Sequence, residues 1–206
     1  MYTLLKNDTI ITGPRIWSAP VFKYFLKEQC DITEDLVEPP LNSFDYGNGI
    51  KIVPTTINAS PEYNALFEVL AGPYYSFDAN GLHVGNMIKQ DLPVEDVKIN
   101  MKSIVASNRW VKETTPIEMT INGKDVVVYT DRESRNLFVQ ALLLAGDTFS
   151  AEWKFSNGFQ LINKSDLQQI VNNLSTHVQT CFDEESQKVA EIESKTTIEE
   201  LKLVQL

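Results

Sequence analysis

The sequence predicts an α+β protein. A β-rich part over residues 1–92 precedes a unit over 93–206 that reads helix, hairpin, helix, hairpin, long helix and short C-terminal helix. Three observations predict it. Ile117-Glu118-Met119-Thr120-Ile121 alternates apolar and polar residues, breaks at Asn122-Gly123 and resumes as Lys124-Asp125-Val126-Val127-Val128-Tyr129. Asn-Gly between two such runs suits a type I′ turn, because both residues tolerate positive φ. A shorter copy follows: Glu152-Trp153-Lys154-Phe155, then Ser156-Asn157-Gly158, then Phe159-Gln160-Leu161-Ile162. Beyond it, apolar residues recur at three- and four-residue steps, the signature of an amphipathic helix.

In order, 2–5 is a strand, Asn7-Asp8 a turn, and 9–12 a return strand ending at Gly13-Pro14. After Ser18 a helix is expected, with Pro20 in its first turn, where a missing N–H costs nothing, and Val21, Tyr24 and Phe25 at helical spacing. Residues 31–46, with Pro39-Pro40, read as an irregular surface connection. Residues 50–53 form a strand closed by Pro54, and 63–70 fits a helix or a strand equally before Gly72-Pro73 punctuates it. Residues 74–77, a turn at 78–81 and 82–84 propose another hairpin. A domain boundary falls near Leu92-Pro93.

From Val94, the spacing of Val97, Met101, Ile104, Val105 and Trp110 predicts a helix to about Glu113, stopped before Pro116. Thr130-x-x-Glu133 reads as a capping box for a helix presenting Leu137, Phe138, Ala141, Leu142 and Ala145, with Gly146 ending it. Ser165-x-x-Gln168 reads as a second box. It opens a helix of nearly thirty residues, on the order of 40 Å, carrying Leu167, Ile170, Val171, Leu174, Val178, Cys181, Phe182, Val189 and Ile192. Residues 183–195 are mostly charged, so this half is expected to leave the core and offer a seam to another chain. A last helix opens at Thr196-x-x-Glu199 and carries Ile198, Leu201, Leu203, Val204 and Leu206. The interface residues expected are Val189, Ile192, Ile198, Leu201, Val204 and Leu206.

A net charge of −10 removes the general phosphate attraction that Lys and Arg supply, which argues against nucleic acid and anionic membrane surfaces as partners. No window approaches eighteen uncharged apolar residues, and the N-terminus lacks a signal-peptide pattern, so folding in a reducing, cytoplasmic setting is expected. Cys30 and Cys181 have no second cysteine nearby and read as two reduced small hydrophobes, Cys181 on an apolar helical stripe. Two histidines, His83 and His177, exclude multi-histidine zinc sites, and both read as packing or surface residues. No glycine pattern matches a dinucleotide or P-loop signature, and no Gly-x-Ser-x-Gly elbow occurs. Asp131-Arg132-Glu133-Ser134-Arg135 suits a first helical turn, its acids favoured by the dipole and Arg135 pairing locally. Glu184-Glu185 and Glu199-Glu200 read as solvated helix faces. Trp17, Trp110, Trp153 and Tyr74-Tyr75 read as core or interface packing. No catalytic residue, cofactor site or metal site is assigned.

From about Val94 to Leu206 the chain resembles a bacteriophage domain family of unknown biochemical function, encoded in tail-fibre and tail-fibre-assembly regions. The resemblance rests on a helix carrying Arg109 and Glu113, a hairpin ending in Thr130-Asp131-Arg132-Glu133-Ser134-Arg135, and the hairpin Trp153-Lys154-Phe155-Ser156-Asn157-Gly158. It continues through His177-Val178-Gln179, Cys181-Phe182-Asp183-Glu184-Glu185, Ile192 and Thr196-Thr197-Ile198-Glu199-Glu200-Leu201. Gly13-Pro14-Arg15-x-Trp17 and Asn64 through Gly72-Pro73 resemble N-terminal regions of phage proteins in the same group. The resemblance implies a virion or assembly role and transfers no active-site residue. The function expected is that of a tail structural protein, a baseplate or tail-fibre adaptor in contact with other tail proteins as a homo- or hetero-oligomer. The alternative is a tail-fibre assembly chaperone not retained in the virion. A third, a glycan hydrolase, would need two carboxylates about 5–10 Å apart in a cleft.

Overall fold

A computed structural model of the chain describes residues 1–16, 44–80 and 82–206, together with Tyr24, Lys27 and Glu28. The helix expected after Ser18, Trp17, Cys30 and most of the 31–46 connection lie outside the described residues. The class is α+β, and the chain divides into two compact units, Met1–Asp91 and Leu92–Leu206.

Among its described residues the first unit forms a six-stranded sheet. Strands β1 (Tyr2–Lys6), β2 (Thr9–Arg15), β3 (Phe44–Gly47), β4 (Ile50–Ile57), β5 (Glu68–Phe77) and β6 (His83–Asp91) run in the order β2-β1-β4-β6-β5, with β3 also on β4. All pairs are antiparallel except β4 with β6, where Thr55, Thr56 and Ile57 face His83, Val84 and Gly85. Asn7 and Asp8 both take positive φ, as the β1–β2 turn requires. Gly49 takes φ of 76°, a left-handed conformation that favours glycine, beside the Asn7 side chain. Consecutive residues of β1, Thr3, Leu4 and Leu5, are all buried, as are Ile52 and Val53 of β4. These central strands are therefore covered on both faces.

Three strands outrun their expected ends, and each extension has the same explanation. Pro14 and Pro73 lie on β2 and β5, the two outer strands of the sheet order, each at a break in register where a missing N–H disrupts no ladder. Pro54 lies past the last β3 pairing, at Ile52, and before the first β6 pairing, at Thr55. The neighbouring Thr55 N–H points the other way, to Met1 O at 2.7 Å, so Pro54 faces the opposite edge, where no strand pairs with it among the described residues. Residues 63–70 resolve into a turn followed by the start of β5, and 44–47 form a strand where an irregular connection was expected.

The second unit holds α1 (Val94–Thr114), β7 (Ile117–Ile121), β8 (Lys124–Val128), α2 (Arg132–Leu144), β9 (Ser150–Phe155), β10 (Gly158–Asn163), α3 (Lys164–Ser194) and α4 (Ile198–Lys202). The two hairpins form as expected, and Asn122 and Gly123 both take positive φ. Inward faces of the hairpins, Ile121, Val126, Val128, Phe155 and Ile162, pack on Phe138 of α2 and on Leu167, Ile170 and Leu174 of α3. Phe138 stacks on Trp153 with centroids 4.7 Å apart. Each fully buried Leu or Ile here stabilises the unit by roughly 1.5–3 kcal/mol.

All three helix caps sit one or two residues from the expected positions. Asp131, not Thr130, caps α2, its carboxylate accepting the Ser134 N–H and hydroxyl, while the Thr130 hydroxyl donates to Thr115 O. Asn163 and Asp166 form the box of α3, and Thr197 and Glu200 that of α4. Asn163 is also the last residue of β10, so strand passes into helix without a loop. Ala145 rather than Gly146 ends α2, in an extended conformation.

The largest correction concerns the distal half of α3. It does not leave the core for another chain, because α1 lies along it and α4 folds back onto α1. Val97, Met101 and Val105 of α1 are buried with Cys181 and Ile192 of α3, and Ile198, Leu201 and Val204 close over the end. Three acids of that half pair with cations of α1: Glu193 with Lys98 and Lys102, Glu185 with Arg109, and Glu184 with Lys112.

Candidate functional site

Of the expected interface residues, Ile192, Ile198, Leu201 and Val204 are buried within their own unit and unavailable to a partner, and Val189 is half-buried. Leu206 remains 42% exposed, beside a pocket of about 180 Å³ that it lines with Val105 and Cys181. The reason is local. Residues 195–197 turn the chain, Thr197 and Glu200 cap a new helix, and its apolar face lands on α1.

Where α1 ends, the structure brings together groups that the sequence scatters. Glu113 is 1% exposed. It accepts from Arg109 one turn earlier and from Arg135 of α2, whose Nη2 lies 2.6 Å from Oε1. Arg109 also donates through Nε to Glu185 of α3 at 3.0 Å, so three helices meet at one ion network. Burial pushes the Glu113 carboxyl up, but hydrogen bonds from Arg135 and Arg109 outweigh it and hold the group below the ordinary carboxylate range. Aromatic rings complete the cluster: the Arg109 guanidinium lies 4.7 Å from the Phe182 ring centroid, and that of Arg132 lies 5.1 Å from the Trp110 centroid.

Beside this network, α2 and α3 bound a groove of about 520 Å³. Arg132, Arg135 and Glu113 form its charged end. Val139 of α2 and Val171, Leu174 and Val178 of α3 provide apolar lining. Arg135 therefore pairs across 22 residues rather than locally, and Trp110, read as core or interface packing, is 44% exposed with the Arg132 guanidinium over its ring. Sequence reading missed Glu113 as a buried group. Its signal was present, since a carboxylate in the last turn of a helix opposes the dipole and implies a cation nearby.

The remaining candidates have structural occupations. His83 is buried in the first unit, where Thr55 Oγ1 lies 2.9 Å from its Nδ1 and 2.8 Å from Thr3 Oγ1, and its ring stacks on Tyr75. Burial lowers its pKa, so this chain of hydroxyls and imidazole favours the neutral ring. The Cys181 sulfur lies 3.9 Å from His177 Nε2, but that nitrogen also lies 3.1 Å from Lys112 O, and burial pushes the thiol up. A neutral thiol of this kind is a poor nucleophile. Among the described residues no group of three or more His, Cys, Asp or Glu side chains could hold a metal ion, and no helix is long and apolar enough to cross a membrane.

A family model described as a domain of unknown function, DUF4376, matches residues 96–205, which is nearly the whole of the second unit. No curated protein and no solved structure matches the chain.

Proposed function

Starting from a chain that belongs to the DUF4376 family of domains of unknown function, we propose that it is a structural, protein-binding component of a bacteriophage tail, a baseplate or tail-fibre adaptor. The observation that carries the binding part is apolar surface left over after the unit has covered itself. Leu143 and Leu144 at the end of α2 are 79% and 87% exposed, Phe159 and Leu161 of β10 are 66% and 60% exposed, and the α2–α3 groove is open. Scattered single hydrophobics are ordinary, but two leucines exposed side by side on α2, two apolar side chains exposed on β10 and an open, partly apolar groove together suit contact with another polypeptide. The tail assignment rests on the resemblance of residues 94–206 to domains encoded in tail-fibre regions.

Glu113, the buried carboxylate of the cluster, is not the protonated acid that glycoside hydrolysis needs, because the guanidiniums of Arg109 and Arg135 favour its charged form. The net charge of −10 supports protein partners over nucleic acid or anionic membrane. The place of action is then the virion tail, assembled in the host cytoplasm.

Mass spectrometry of purified virions tests the reading. Near-stoichiometric recovery of the chain from particles is expected. Presence in the infected-cell lysate with absence from particles would replace the adaptor with an assembly chaperone, and absence from both would sink the tail assignment.

A further inference from the structure

Two helical stripes line the α2–α3 groove. Arg132, Arg135 and Val139 fall on α2 at i, i+3 and i+7, and Val171, Leu174 and Val178 on α3 at i, i+3 and i+7. A seven-residue helical stripe is about 10 Å long, enough to receive two or three side chains from a helix laid alongside. The chemistry of the groove is graded along its length, because Arg132 and Arg135 lie in the first turn of α2, where Glu113 from the end of α1 joins them.

Charge decides what the cationic end can accept. The charged groups that line the groove are two guanidiniums, Arg132 and Arg135, and one carboxylate, Glu113. Arg109 and Arg135 are engaged in ion pairs. Arg132 makes no ion pair among the described residues, and its guanidinium rests on the Trp110 ring. A partly screened cation left over on a protein of net charge −10 is a local reversal of sign, and a planar guanidinium takes a carboxylate in a two-pronged hydrogen bond.

We propose that the α2–α3 groove docks an acid-bearing amphipathic helix of a partner polypeptide, with a Glu or Asp carboxylate on Arg132 and large apolar side chains over Val139, Val171 and Val178. This deepens the adaptor reading and rests on it for the partner's being a protein. Specificity follows from the sign of the end group. A basic helix of the same apolar pattern meets Arg132 with like charge, and a neutral one leaves the guanidinium unpaired.

The test uses the full chain and a displayed library of helical 12-residue peptides, with affinities of the recovered peptides measured by fluorescence polarisation. Recovered sequences should carry an acidic residue one or two turns from a pair of large apolar residues. Changing that acid to Gln or Asn should weaken binding at least tenfold, and Arg132→Ala should erase the difference between the two peptides. Val139→Glu, at a position already 41% exposed, should abolish binding while leaving the melting temperature unchanged. Recovery of no binders, of binders lacking an acid, or of binders indifferent to both variants would overturn the inference. Sedimentation of the chain alone covers the competing occupant: a dimer lost in Arg132→Ala assigns the groove to a second copy and overturns the separate partner. The adaptor reading fails by virion composition and the groove by peptide selection, so the two failures are distinguishable.

Discussion

The two ends of the long helix α3 make a comparison. Its distal half meets α1 and α4, and there Ile192, Leu201 and Val204 are sealed beneath a row of ion pairs. Its proximal half meets the hairpins on one face, but beside α2 it leaves Val171 and Val178 only half-covered. Apolar residues recur at three- and four-residue steps as far as Phe182, lapse across the polar run 183–188 and resume at Val189 and Ile192, so the half with the weaker apolar pattern is the better covered. Exposure was thus decided by what packs alongside: α1 is 21 residues long and runs with the distal half, while α2 is 13 residues long and spends its first turn on Glu113. Glu113 and Arg109 join the closed side to the open one.

Removing that joint should do the most damage. Glu113→Ala leaves two part-buried guanidiniums without their shared acceptor and should cost about 3–5 kcal/mol of stability in chemical denaturation, loosening both sides together. Leu201→Ala, on the closed side alone, should cost about 2–5 kcal/mol. Hydrogen exchange should then speed in α4 and the facing turns of α1 while the hairpins stay protected, and uniform loss of protection would count against separable halves.

Acid sharpens the comparison further. The folded-state pKa of Glu113 lies below its ordinary 4.5, so its ion pairs contribute fully above that value and are lost as pH falls through the lower one. His83, whose folded pKa is also lowered, contributes stability that is present above 6.5 and lost as pH falls below it. Melting temperature should therefore decline in two stages on acidification. His83→Gln should flatten the upper stage and Glu113→Gln the lower, and a profile unchanged by either substitution would refute the assignment. The smallest effect belongs to Lys112→Ala. Its pairing with Glu184 is open to water, and the unfolding midpoint should not move measurably.

How much of this was legible in the sequence follows the range of each interaction. The hairpin at Asn122-Gly123 and the helices were readable because period and turn chemistry are local. Caps slipped by one or two positions because 130–131, 163–166 and 196–197 each offer adjacent Thr, Asp, Asn or Ser residues. The winner is set by where the previous strand ends or which hydroxyl is already engaged, as Thr130 is with Thr115. Proline was misread as a stop in β2, β4 and β5, since one sequence does not reveal which strand edge is vacant. The covering of Ile192 and Leu201 by α1 depends on residues about a hundred positions away, and spacing carries no information about that.

The junction at Asn163 has a mechanical consequence. Because it ends β10 and caps α3 at once, the ribbon fixes the rotational setting of the rod that grows from it. Shifting the strand by one residue would spin that rod by about 100° and turn Leu174 toward water. An extra residue inserted after Asn163 would therefore cost α3 its capping box and its setting against the hairpin in one step.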